Sequence, residues 1–127
     1  MTDRVGIDRL IRELHAARVR GDLAAMCRQF DPAVAARIVG SSNNTPIEIH
    51  AGNLAELRPW LNMLVRAFRV SEYELFSVAI DGSRATAHWR ARIHSKITGA
   101  VTNTELVDLF VIRDGKVAEY IEIFVPV

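Results

Sequence analysis

The stretch that most constrains this chain is residues 106–124, which read LVDLFVIRDGKVAEYIEIF. Two runs rich in β-branched and aromatic residues flank Asp114-Gly115, a pair typical of tight hairpin turns. The stretch therefore predicts two long antiparallel strands. Asp108 interrupts the apolar residues of the first strand, and Glu122 interrupts those of the second. Because a buried carboxylate needs a proton or a partner, these two acids are the candidate functional residues.

Composition indicates one globular domain, residues 1–127, since half of the residues are hydrophobic and 24% are charged. The net charge of +1 gives no general attraction to nucleic acid or to an anionic membrane. The single cysteine excludes an internal disulfide and is typical of a reducing compartment. The N-terminal residues mix both charges and no run could span a bilayer, so we expect a cytoplasmic protein without a signal peptide.

The first part of the chain predicts helices. Residues 4–20 place their apolar side chains along one helical face, and Gly21 suits the left-handed residue that ends a helix. Asp22 can then cap a second helix, expected over residues 23–30 and ended by Pro32.

A third helix is expected after two short strands, at residues 33–40 and 47–50. It begins at Asn53, which can cap its first turn. Pro59 leaves two alternatives, since proline inside a helix costs about 3 kcal/mol. Either the helix kinks at Pro59, or Pro59 opens the true helix and the residues before it form a separate turn.

The remainder of the chain predicts strands. Residues 73–80 and 85–96 are joined by Asp81-Gly82, a strong hairpin signal. The second of these strands alternates, with Ala87, Trp89, Ala91 and Ile93 on one face and His88, Arg90, Arg92 and His94 on the other. We interpret the basic face as a solvated outer surface whose charge is balanced by Glu105 across the hairpin. Helices followed by antiparallel strands indicate an α+β fold, with the helices on one face of a curved antiparallel sheet.

This order of elements, together with three short motifs, resembles the nuclear transport factor 2-like superfamily, which includes SnoaL-like polyketide cyclases, ketosteroid isomerases and limonene epoxide hydrolases. The motifs are Gly21-Asp22-Leu23, Asp108-x-Phe110 and Arg113-Asp114-Gly115-Lys116-Val117. The resemblance covers nearly the whole chain. It implies a cone-shaped, cystatin-like roll, in which a curved sheet wraps around the N-terminal helices and leaves a pocket between them.

The resemblance to ketosteroid isomerases carries over one site residue. Asp108 matches the protonated aspartic acid with which those enzymes stabilise an oxyanion. Their tyrosine on the first helix corresponds to Leu14, and their general base corresponds to Arg37 or a neighbour. Neither group is therefore present in this chain.

The resemblance to the cyclases and epoxide hydrolases carries over the other acid. Glu122 falls where those enzymes place a catalytic aspartate. The arginine and second aspartate of the hydrolases correspond to about Trp89 and Ala91. No relative's complete set of catalytic residues is therefore present.

The last turn decides which residues share a face of the sheet. With a two-residue loop, Asp108 lies opposite Ile121 and Glu122 points away from it. With a three-residue loop at 113–115, Asp108 lies opposite Tyr120, and both acids point the same way as Tyr120. The resemblance favours the three-residue loop, so we expect the two acids to be diagonal neighbours on one face.

On that register the two acids share an apolar pocket that binds a small hydrophobic ligand. Two carboxylates this close tend to hold a proton between them. Asp108 is then expected to act as the acid or oxyanion donor and Glu122 as the base or proton relay. The expected substrate-binding residues are Trp60, Met63, Trp89, Phe110 and Tyr120.

Two functions stay open at this point. One is a cofactor-independent isomerase, cyclase or hydrolase that acts on a hydrophobic metabolite by acid–base proton transfer. The other is a non-catalytic ligand-binding or dimerisation module of the same fold, with Asp108 and Glu122 as structural or rim residues. No cofactor is implied, and the four histidines lack metal-ligand spacing, so no metal site is expected.

The opposite face of the last hairpin is expected to be apolar and to pair with a second copy of the chain, because a monomer rarely exposes such a surface. That convex face carries Val107, Leu109, Val111, Val117, Ile121, Ile123 and Val125.

Overall fold

The computed structural model describes residues 3–42 and 44–127. Three helices and six strands make up this part of the chain. In order they are α1 (Arg4–Arg20), α2 (Leu23–Cys27), β1 (Phe30–Ser42), β2 (Thr45–Ala51), α3 (Leu54–Ala67), β3 (Phe68–Asp81), β4 (Arg84–Ser95), β5 (Val101–Arg113) and β6 (Lys116–Pro126).

The six strands form one curved sheet in the order β2-β1-β6-β5-β4-β3, with the helices packed against it. The α+β class is confirmed. The sheet is mixed, because β1 pairs with β6 in parallel while every other pairing is antiparallel. Strand β1, from the first third of the chain, therefore lies beside the last strand, a long-range pairing that local sequence patterns do not report.

The predicted ends of α1 are confirmed. Asp3 caps the helix by accepting a hydrogen bond from the Gly6 N–H at 2.7 Å, and Gly21 closes it with a φ of 73°. Asp22 then caps α2 through the Ala25 N–H at 3.0 Å. None of the helices in the described part of the chain has the length and apolar character needed to cross a membrane.

The predicted length of the second helix is wrong, because the helix ends at Cys27 rather than continuing to Phe30. Phe30 opens β1 and pairs with Val117 of β6. Its ring is buried 5.5 Å from the ring of Tyr120. Burial against the sheet therefore outweighs the local helical pattern.

The third helix is continuous, and Pro59 lies inside it rather than at its start. The interpretation of residues 54–58 as a separate turn is therefore wrong. Asn53 caps the helix by accepting from the Glu56 N–H at 2.9 Å, as its sequence predicts. The helix ends at Ala67, and Phe68 has the extended conformation that begins β3.

The turn between β5 and β6 has the two-residue loop Asp114-Gly115, with φ values of 51° and 74°, so the predicted three-residue loop is wrong. A bulge follows at once, because Ile112 pairs with Val117 and Val111 pairs with Glu119. That bulge shifts the register by one residue in the opposite direction to the longer loop, and a one-residue shift in either direction turns the same side chains inward.

The bulge places Asp108 directly opposite Glu122, rather than diagonally as expected. Both side chains point to the interior and are about 1% exposed. Val117 lies before the bulge, so it also points inward and is fully buried. Its predicted place on the outer face is therefore wrong.

Candidate functional site

A cavity of about 510 Å³ lies between the helices and the inner face of the sheet. Its walls are mostly apolar and include Met63 of α3 and Leu106 of β5. Exposed polar residues such as Asn44 stand at its rim. Among the described residues that line it, the charged ones are Arg18 and Glu122. The lining of the cavity is therefore mostly apolar and contains one ion pair.

Glu122 is held by two donors on one of its oxygens. Arg18 Nη1 and the Tyr120 hydroxyl both donate to Oε1, the latter at 2.8 Å. The second oxygen, Oε2, accepts no hydrogen bond from the described part of the chain. Because Glu122 lines the cavity, Oε2 is the oxygen available to a ligand. We call Arg18, Tyr120 and Glu122 the cavity cluster.

Asp108 belongs to a second group of polar side chains, set behind the cavity wall. Its Oδ2 lies 2.6 Å from His15 Nε2 and accepts a hydrogen bond from the Trp89 indole N–H at 3.0 Å. His15 Nδ1 in turn lies 2.6 Å from the Tyr73 hydroxyl. We call His15, Tyr73, Trp89 and Asp108 the inner cluster.

The two clusters are neighbours, since Asp108 and Glu122 are directly paired across β5 and β6. The Arg18 guanidinium also lies over the Trp89 ring, 5.3 Å from its centroid, a cation–π distance. Asp108 Oδ1 is buried and has no hydrogen-bond partner within the residues that the structure describes. One oxygen of this acid is therefore poorly compensated for its lost hydration.

Burial sets the proton affinity of these groups. It raises the pKa of Asp108, and the nearby charge of Glu122 raises that pKa further, outweighing the opposing effect of the His15 hydrogen bond. Burial, followed by the charge of Asp108, raises the pKa of Tyr73 to about 12 and that of Tyr120 well above its usual range. For Arg18, burial lowers the pKa, but the charge of Glu122 leads the effects that raise it overall.

The wild type should lose stability as pH rises because of Asp108, and replacing Asp108 with Asn should make that loss smaller. The raised pKa means that folded Asp108 keeps a proton that the unfolded chain has already released. Between the unfolded and folded pKa values, the free energy of unfolding therefore falls by about 1.4 kcal/mol per pH unit. The stabilising contribution is complete below the unfolded pKa and lost as pH rises through the folded one.

Urea unfolding at a series of pH values measures this effect. The decline should be shallower in Asp108→Asn than in the wild type. Asp114→Asn is the matched control, because Asp114 is exposed in a turn whose positive φ asparagine also tolerates. Parallel pH curves for the wild type and Asp108→Asn would contradict the assignment.

Helix α1 supplies both of the basic residues that meet the acids. Ile7, Ile11, His15 and Arg18 follow each other at intervals of four, four and three residues, so they share one face of the helix. Sequence reasoning missed His15 and Arg18, because it read that face through its apolar members and looked to Leu14 for a catalytic group. A polar residue that continues an apolar helical stripe was the available signal.

The structure separates the five residues expected to bind the ligand. Met63 lines the cavity. Trp89 and Tyr120 are buried within the inner and cavity clusters, where they bond the acids instead of facing the cavity. Phe110 packs in the core beside Tyr120, at 5.5 Å between ring centroids. Trp60 is 39% exposed on α3 and is not among the lining residues.

The family model for the SnoaL-like domain matches residues 11–120. No curated protein matches the sequence. Among solved structures, a Bacillus subtilis protein provisionally described as an isomerase superposes with a TM-score of 0.82 at 14% identity, covering 98% of this chain and 89% of that one.

Two further structures share the fold at similarly low identity. An NTF2-like protein from Burkholderia xenovorans LB400 has a TM-score of 0.77 at 18% identity, covering 98% of this chain and 92% of that one. An LEH-like epoxide hydrolase from M. tuberculosis has a TM-score of 0.69 at 11% identity, covering 91% and 80%. The chain therefore belongs to the SnoaL-like domain family and has the nuclear transport factor 2-like fold.

Proposed function

We propose that this protein is a cofactor-independent enzyme that moves a proton on an apolar, carbonyl-bearing small molecule bound in the cavity. One observation carries the proposal: a buried carboxylate, Glu122, lines an apolar cavity with one oxygen, Oε2, to which none of the described residues donates a hydrogen bond. A cavity of about 510 Å³ is within the ~300–1,000 Å³ range of small-molecule sites. Related structures described as an isomerase and an epoxide hydrolase are compatible with catalysis on this fold.

The cavity cluster supplies both halves of a proton transfer. Glu122 Oε2 takes a proton from the carbon next to the substrate carbonyl, which leaves an enolate. Arg18 also lines the cavity and has five N–H donors, of which Glu122 Oε1 occupies one, so the others can stabilise the enolate oxygen. The apolar walls exclude water and strengthen these interactions.

We propose a different role for Asp108 than the expected acid or oxyanion donor, because Asp108 is not among the residues lining the cavity. We assign the contact with substrate to Glu122 and Arg18. Asp108 lies across the strand pair from Glu122, so its protonation sets the charge beside the base. A neutral Asp108 spares Glu122 the repulsion of a second buried carboxylate.

The rival function, a non-catalytic binding protein, also has an observation in its favour. The ion pair with Arg18 and the bond from Tyr120 stabilise the ionised form of Glu122, which weakens it as a base. In that case the ion pair orients the polar end of an apolar ligand, and no bond of the ligand changes.

Deuterium exchange separates these two functions. The protein is incubated in D₂O with a panel of apolar cyclic ketones, and mass spectrometry follows deuterium uptake next to the carbonyl. An enzyme accelerates uptake for at least one ketone, whereas a binding protein shifts ligand resonances without uptake. Ile47→Trp should narrow the cavity and reduce uptake. Ile97→Trp, at a turn residue that is 80% exposed, is the matched control.

We also propose that two copies pair through the convex face of the sheet. Leu109, Ile123 and Val125 are 36%, 37% and 45% exposed there. Light scattering at micromolar concentration should give twice the chain mass of 14.2 kDa. Ile123→Lys should shift the mass towards the monomer, because it places a charge in the contact. A monomer mass for the wild type would refute the pairing.

A further inference from the structure

We infer that Tyr73, His15 and Asp108 form a proton relay, which exchanges the proton of the buried acid with solvent on the side of the fold where Tyr73 is partly exposed. The inference deepens the proposed function, on which it rests for its role in catalysis. It concerns a route for the proton that does not pass through the ligand cavity. The relay residues come from three separate elements, β3, α1 and β5.

The geometry of the relay is continuous. The Tyr73 hydroxyl lies 2.6 Å from His15 Nδ1, and His15 Nε2 lies 2.6 Å from Asp108 Oδ2. Both distances are at the short end of the hydrogen-bond range. His15 and Asp108 are 3% and 1% exposed, while Tyr73 is only partly buried. A proton therefore has hydrogen-bonded steps from the surface to the buried acid.

The ring of His15 is held in position by its neighbours. Its centroid lies 5.5 Å from that of Tyr73 in an edge-to-face contact and 4.8 Å from that of Trp89. The Trp89 N–H donates to the same Asp108 oxygen that His15 meets. This packing fixes both ring nitrogens on their partners, as a relay requires.

The proton count balances between two states. In the first, the Tyr73 O–H donates to His15 Nδ1, and the Nε2–H donates to an ionised Asp108. Tyr73 then takes a proton from water and gives its own to Nδ1, while Nε2 gives its proton to Asp108 Oδ2. In the second state, the Nδ1–H donates to Tyr73 and a neutral Asp108 donates to Nε2. One proton has moved from solvent to Asp108, and Tyr73 and His15 end neutral.

The charged groups around the relay act on Asp108 in opposite directions. Glu122 faces Asp108 from β6 and opposes its ionisation, whereas Arg18 faces it from α1 and favours ionisation. Arg12 lies near the Tyr73 end. Burial, followed by the charge of Asp108, raises the pKa of Tyr73 to about 12, so Tyr73 keeps its proton at neutral pH. Tyr120 is bonded to Glu122 rather than to the relay.

The exchange of the His15 ring proton with water, followed by nitrogen-edited NMR on the full protein, tests the relay. Tyr73→Phe removes one hydroxyl and keeps the ring that packs on Trp89, so exchange should slow by about tenfold or more, a factor within reach of acid–base groups. Ser77→Ala removes an exposed hydroxyl from the same strand as Tyr73 and should leave exchange unchanged. Equal exchange in the wild type and Tyr73→Phe, or equal slowing in the two variants, overturns the inference.

A second measurement needs no variant of the relay tyrosine. Infrared spectroscopy follows the protonated carboxyl band of Asp108, identified by its loss in Asp108→Asn, while NMR follows the His15 ring nitrogens. The two signals should change together with pH, because they report one shared proton. Independent changes overturn the relay. Neither measurement uses a substrate, so a failure of the relay and a failure of the deuterium-exchange screen are separate results.

Discussion

Glu122→Gln should lower the rate of deuterium uptake by an accepted ketone by about 10²–10⁴-fold, the range typical of losing a general base. Glutamine keeps the size of the side chain, and its amide oxygen still accepts from Arg18 and Tyr120. It cannot take a proton from carbon at neutral pH. The change therefore removes the base while leaving the cavity wall in place.

Glu119→Gln is the matched control, because Glu119 lies three residues away on the same strand and is exposed. It makes the same chemical change without touching the cavity. Ligand affinity, measured by titration, should change little in Glu122→Gln. If Glu122→Gln and Glu119→Gln turn over at the same rate, Glu122 is not the base. If the wild type shows no turnover and Glu122→Gln loses its affinity for the ligand, the protein is better described as a binding protein.

For the last hairpin, the sequence predicted the correct inward face for both acids but from an incorrect turn. The alternation of β5 and β6 marks the two acids as inward residues only once their relative register is known. The expected three-residue loop would place Asp108 opposite Tyr120, whereas the bulge after a two-residue loop places it opposite Glu122. Both are one residue away from the simple two-residue register, in opposite directions, so both turn the same side chains inward. A bulge at Ala118 has no strong sequence signal, because alanine carries no side chain that requires it.

Local sequence patterns could not predict which residues pair with the two acids. Arg18 meets Glu122 across 104 positions of sequence, and His15 meets Asp108 across 93. The helix that carries both basic residues was predicted correctly, including Gly21 as the residue that closes it. Which residues of its buried face stand over which strand depends on the packing of α1 on the sheet, and a single sequence does not report that packing.

Arg18→Met should lower the free energy of unfolding by about 3–5 kcal/mol at neutral pH, the typical cost of removing one partner from a buried ion pair. The side chains of Arg18 and Glu122 are only 10% and 2% exposed, so bulk water compensates poorly for the lost partner. Methionine keeps much of the apolar contact that the arginine stem makes, including its place beside Trp89. The measured loss then reports the charge left without its partner.

Urea unfolding followed by tryptophan fluorescence measures this loss against two controls. Arg20→Met, on the same helix, breaks an ion pair with Asp22 in which the arginine is 55% exposed, and should cost less than about 1 kcal/mol. The double variant Arg18→Met with Glu122→Met should recover most of the loss, because an apolar pair replaces a buried ion pair at little cost. Equal losses for Arg18→Met and Arg20→Met would mean that Glu122 is hydrated in solution, and the cavity would then not exclude water as the proposed catalysis requires.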